Sequence, residues 1–202
     1  MIQFKRNYSE GPIGEYYNGG GPYPDGFFVK RYFRQDEREP QPPIAELVLK
    51  RSEPSPVYQE ANAGSACRKV PCEVLLPPDA PGDIMDAADL MQRFDATAPL
   101  AEDIAVEFKI TLDAAKPIHA AWEQVRAWAY QYFCLELSLA AVIVLHRPGL
   151  AGGLNPPHAH IFVPARKLTV NGFGAGARPF CTDTGNQLCF ESWSAFSEAW
   201  RT

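Results

Sequence analysis

The chain has 202 residues, 46% of them apolar and 12% aromatic, which is enough for one domain with a real core. The longest apolar run, residues 139–145, is far too short to span a bilayer, and residues 1–6 lack the apolar stretch of a signal peptide, so a cytoplasmic protein with no membrane span is expected. A net charge of -5 argues against a uniformly basic nucleic-acid-binding surface, yet residues 138–180 contain no Asp or Glu. Arg147, Arg166, Lys167 and Arg178 give that stretch +4 and leave -9 for the remainder, so a basic face on an acidic molecule is compatible with the composition.

Residues 1–43, rich in Gly, Pro, Tyr and charge, read as an irregular N-terminal extension, and residues 44–202 as the folded domain. Residues 45–50 suit a short strand, and residues 70–76 a second one, ended by Pro77 and Pro78. A helix is expected over residues 84–94, with Asp83 as its N-cap. Over residues 104–112, Ile104, Val106, Phe108, Ile110 and Leu112 alternate with Ala105, Glu107, Lys109 and Thr111, the pattern of a strand with one buried face. Ile118, Trp122, Val125, Ala129 and Phe133 then recur at helical spacing, predicting a helix over 117–134 packed on that sheet.

Residues 139–145 read as a central strand, 147–157 as a Gly/Pro loop and 159–163 as the next strand. The short loop makes the two strands antiparallel neighbours. The expected fold class is α+β, a central antiparallel sheet with helices packed on one face and a metal site on the other. Trp193, Phe196 and Trp200 form a helical stripe that reads as core. Five cysteines without repeated C-x-x-C spacing read as reduced thiols, Cys67 and Cys72 among them as structural residues.

Three of the four histidines fall between residues 146 and 160. His158 and His160 are two apart on a strand, so both imidazoles leave one face while Ala159, Ile161 and Val163 face the other way. His146 closes the preceding strand, and the loop brings the chain back beside it. A single histidine at a strand end is usually an ordinary polar residue, as His119 is read to be. Three converging neutral imidazoles instead suit a divalent transition metal and leave coordination positions open for substrate or water. A histidine-triad nucleotide hydrolase would need a histidine where Phe162 stands, and a cupin would need one after His160; neither is present.

The segment 142–146 (VIVLH), followed by 155–163 (NPPHAHIFV), Arg166 and 171–174 (NGFG), resembles the MobA/MobL family of plasmid mobilisation relaxases, histidine-hydrophobe-histidine endonucleases. The order of elements from residue 74 onward is similar to that family's as well. The resemblance implies a nickase in which His146, His158 and His160 hold Mg²⁺ or Mn²⁺, or another transition metal, against the scissile phosphate. A tyrosine then attacks phosphorus and leaves 5′-phosphotyrosyl DNA.

It further implies a partner, single-stranded DNA at an origin of transfer, together with accessory mobilisation proteins and phosphate contacts from Arg166, Lys167 and Arg178. The family's alanine-rich tyrosine helix is not recognisable. Tyr58, just before Ala61, Ala63 and Ala66, is the best-placed nucleophile, with Tyr32, Tyr17 and Tyr16 behind it. The doubled proline before His158 lengthens the family's loop by one residue, and the chain stops at Thr202 where the family continues, which reads as a truncated C-terminal part. Two other readings fit the same residues: a relaxase-like binding module without its nucleophile, and an unrelated three-histidine hydrolase using metal-bound water.

Overall fold

The computed structural model of the protein describes residues 26–33, 43–53, 70–97 and 103–200. Its centre is an antiparallel sheet of five strands in the order β1-β3-β5-β4-β2, formed by β1 (Phe27–Phe33), β2 (Cys72–Leu75), β3 (Asp103–Thr111), β4 (Ala141–His146) and β5 (His158–Pro164). The fold class is the expected α+β, and β4 and β5 are the expected antiparallel neighbours, with His146 directly opposite His158. A short hairpin of β6 (Arg166–Thr169) and β7 (Gly172–Gly176) follows β5.

Four α-helices flank the sheet among the described residues: α1 (Ile44–Ser52), α2 (Ala87–Thr97), α3 (Ile118–Ala129) and α4 (Asp183–Ala199). The predicted helix over 117–134 is α3 plus a π-helical continuation, Tyr130–Glu136. With α4 it covers the face that carries Val106, Phe108, Ile110, Ile143, Ile161 and Val163; Trp128, Phe133, Trp193 and Phe196 pack there, so most of the aromatic stripe belongs to the core as read. The histidines lie on the opposite face. There α1 and α2 cover a second cluster, with Val48, Leu90, Met91 and Phe94 packed with Val142, Val144 and Phe162. Cys72, Cys134, Cys181 and Cys189 are free thiols, and no described helix is long and apolar enough to cross a membrane.

Several local readings are corrected. Residues 45–50 form not a strand but the body of α1: Ile44, Ala45, Leu47 and Val48 are the buried positions, which is helical spacing. Its first backbone N–H groups are capped from a distance, since Ile44 and Ala45 donate to the carboxylate of Asp95 on α2. Within the stretch read as irregular, residues 27–33 form β1, which pairs with β3 along its length. Gly26, at φ +106°, supplies the turn into that strand. The helix after Asp83 starts later than expected. Asp86 accepts from the Asp89 N–H at 2.9 Å in the capping position, while Asp83 forms an ion pair with Arg93.

Helix α4 is seated by its first turn. Thr182 accepts from the Gly185 N–H at 3.1 Å, and a β-carbon at Gly185 would collide with the Pro179 carbonyl. Gly185→Ala is therefore expected to cost roughly 1–3 kcal/mol of stability through forced backbone displacement, read as a lower midpoint in denaturant unfolding with an unchanged slope.

Candidate metal centre

The register of the central strands assembles the site. His160 stands between Lys109 of β3 and Val144 of β4, and His158 between Thr111 and His146. Alternation sends His146, His158 and His160 to one face. One ring nitrogen from each lies within 4.8 Å of the other two, and the ring centroids are 4.5, 5.0 and 5.3 Å apart. The three residues singled out in the sequence are thus brought together as expected.

Each imidazole is oriented by a hydrogen bond to a carbonyl or carboxyl oxygen. His146 Nε2 donates to the Arg51 carbonyl at 2.7 Å, His158 Nδ1 to the Pro156 carbonyl at 2.9 Å, and His160 Nδ1 to Glu107 Oε1 at 2.8 Å. Every ring proton is thereby placed, and the second nitrogen of each ring keeps its lone pair for a ligand. The donor set fits a metal ion on its chemistry: three neutral nitrogens, of which His158 and His160 are buried. Imidazole nitrogens suit the later transition metals, whereas Mg²⁺ and Mn²⁺ are harder ions that prefer oxygen in their remaining positions.

Burial holds all three imidazoles below their ordinary value of 6.5. His146 is lowered, His158 is brought down to about 4, and His160 is lowered as well, burial outweighing the Glu107 carboxylate that favours its protonated form. No proton has to leave before metal enters at neutral pH.

Glu107 is the functional residue that sequence reading missed. Assigned by alternation to the polar side of its strand, it has no solvent exposure. It accepts from the Tyr32 hydroxyl at 2.5 Å and from His160, and Arg51 Nε lies 3.4 Å from Oε1. Its recognition needed the knowledge that α1 and α2 cover that face, which no local pattern announces. Lys30 and Lys109 flank Glu107 on neighbouring positions of the same face, and burial lowers the pKa of both ammonium groups.

The other candidates are placed as follows. Tyr58, Tyr17 and Tyr16 lie outside the described residues. Tyr32 is buried on β1, and burial followed by the neighbouring Glu107 raises its hydroxyl far above the ordinary phenol range. Arg166 and Lys167 belong to β6, beyond the far end of β5 and roughly 20 Å along the strand from His158. Arg166 Nε donates to the Gly174 carbonyl and Lys167 is exposed. Arg178 opens a 3₁₀ turn, and its side chain is outside the described set.

No family model and no curated protein sequence matches the chain. A solved structure concerned with the molecular basis of vancomycin resistance transfer in Staphylococcus aureus does, at 20% identity and a TM-score of 0.53, over 64% of this chain and 68% of that one. That likeness shows a shared α+β fold.

Two outcomes follow from the geometry. Because the folded imidazoles have depressed pKa values, the unfolded chain takes up more protons once the pH falls below about 6.5. Stability present near neutrality is therefore lost as the pH drops towards the folded values, and the thermal midpoint of metal-free protein should fall steadily between pH 7 and 4.5. Glu107→Gln, which removes the carboxylate behind His160, should weaken Mn²⁺ binding by about 10–100-fold in titration calorimetry.

Proposed function

We propose that the protein is a metal-dependent DNA relaxase of MobA/MobL type, acting in the cytoplasm on single-stranded DNA at an origin of transfer, with accessory mobilisation proteins as further partners. The observation that carries this reading is the convergence of three neutral imidazoles on one face of a relaxase-like sheet. A structural neighbour concerned with resistance transfer supports a role in moving DNA. A divalent metal bound by His146, His158 and His160, whether Mg²⁺, Mn²⁺ or another transition metal, would offset charge building on the phosphoryl oxygens and orient the phosphate.

Tyr58 is assigned as the nucleophile. Its oxygen forms a bond to phosphorus as the bond to the 3′ oxygen breaks, and the departing oxygen takes up a proton, leaving a 3′-hydroxyl and a 5′-phosphotyrosyl link. Two observations support the assignment. Tyr32, the described tyrosine on the histidine face, is buried and engaged with Glu107. Arg51, against His146 at the end of α1, precedes Tyr58 by seven residues, which span at most about 25 Å. Arg166, Lys167 and Arg178 are assigned to phosphate contacts along the bound strand.

The test is an adduct assay with Mn²⁺ and labelled single-stranded or supercoiled DNA. A covalent protein-DNA band abolished by Tyr58→Phe, in a variant that still binds metal, is expected. Cleavage without a covalent band would instead make the protein a hydrolase using metal-bound water, and DNA binding without cleavage would make it a binding module. Lys167→Ala should weaken DNA binding across sequences and reduce its logarithmic salt slope by about 1. An unchanged slope would remove Lys167 from the interface.

A further inference from the structure

The carboxylate behind His160 is itself held in place. Glu107 Oε1 receives His160 Nδ1–H at 2.8 Å, and Oε2 receives the Tyr32 hydroxyl at 2.5 Å. His160, Glu107 and Tyr32 are 1%, 0% and 3% exposed, so water does not compete for either oxygen. Tyr32 is fixed in turn: its ring stands beneath the Lys30 ammonium, 4.7 Å from the ring centroid, and its backbone pairs with Ala105, two residues from Glu107 on β3.

We infer that Tyr32 is a positioning residue of the metal centre, acting through Glu107 on His160, and that it is not a nucleophile. The inference rests on the reading of the three histidines as metal ligands. With the hydroxyl in place, Oε2 is satisfied and Oε1 stays on the imidazole, which keeps the His160 ring oriented and its ligand nitrogen basic. Without it, a fully buried carboxylate oxygen loses the hydroxyl as a donor. The group then gains by turning towards Arg51 or Lys30, or by taking up a proton, and each change draws Oε1 away from His160.

Tyr32 serves in this role as a hydroxyl donor, and a phenol aimed at a buried carboxylate is poorly suited to attack. Its oxygen faces the anion, and phosphate approaching the histidines would meet it only behind Glu107 and His160. The same geometry that excludes Tyr32 from chemistry makes it a support.

The test is Mn²⁺ titration calorimetry on wild type, Tyr32→Phe, Glu107→Gln and the double variant. Tyr32→Phe is expected to weaken binding roughly fivefold, less than the loss for direct removal of the carboxylate. In the Glu107→Gln background the effect of Tyr32 is expected to vanish. The amide N–H donates to the Tyr32 hydroxyl while the amide oxygen accepts His160 Nδ1–H, so no buried anion depends on the hydroxyl as a donor, and adding Tyr32→Phe should leave affinity unchanged.

Equal affinity of Tyr32→Phe and wild type would overturn the inference. So would the same loss in both backgrounds, which is the mark of general loosening. Absence of Mn²⁺ binding by the wild type would instead overturn the metal reading itself. A second measurement uses the unaltered protein and does not depend on the variants folding. The Tyr32 hydroxyl proton, protected by burial, should give a downfield proton resonance that shifts when diamagnetic Zn²⁺ is added. A resonance that does not respond to Zn²⁺ would overturn the relay.

Discussion

The buried carboxylate of Glu107 is the constraint on which the histidine face depends. A carboxylate removed from water is costly unless donors meet its oxygens, and the donors come from three separate elements. Tyr32 reaches it from β1, His160 from β5 and Arg51 from the last turn of α1. One side chain therefore ties an edge strand, a central strand and a helix together. Placing the Arg51 side chain on Glu107 also fixes its backbone, whose carbonyl orients His146. The seating of α1 and the geometry of the metal centre are one arrangement, and a change that loosens either disturbs the other.

The cations that act on the histidines stand around the same carboxylate. The sequence directs attention to Arg166 and Lys167, because they fall in a segment without acidic residues. In the fold these lie past the far end of β5, while Lys109 and Arg51 are the cations whose fields reach His146 and His158. Distance along the chain does not indicate which cations stand beside the histidines, because an antiparallel sheet places residues distant in sequence side by side. A net charge of -5 is for the same reason a poor guide to the local field at the site.

What was legible in the sequence follows from how local its cause is. Strand alternation fixes the faces of His158 and His160, and a short loop between antiparallel strands sets His146 opposite them; both are consequences of a few adjacent residues. The helical spacing from Ile118 to Phe133 is equally local, and α3 appears where it predicts. Glu107 was illegible because the pattern of residues 104–112 is that of a strand with a wet face. This strand lies inside a sheet covered by helices on both sides. Helix α1 was illegible because Asp95, which caps it, is about fifty residues away, leaving a short apolar run that reads equally well as a strand. The Gly/Pro surroundings of residues 27–33 hid the alternation of Phe27 and Val29 with Phe28, Lys30 and Tyr32.

The three histidines and the tyrosine proposed as nucleophile lie in different parts of the chain, and this separates two properties that the family resemblance joins. Ligands and supports come from β1, β3, β4, β5 and α1, packed around a core that includes Val142, Val144 and Phe162. Every one of those elements also belongs to the folded body of the protein. Tyr58 lies outside the described residues and is tied to the site through chain connectivity from Arg51. Metal binding consequently speaks to the fold and the site, whereas covalent capture of DNA speaks to the segment after α1, and only the second distinguishes a nickase from a metal-bearing scaffold of the same shape.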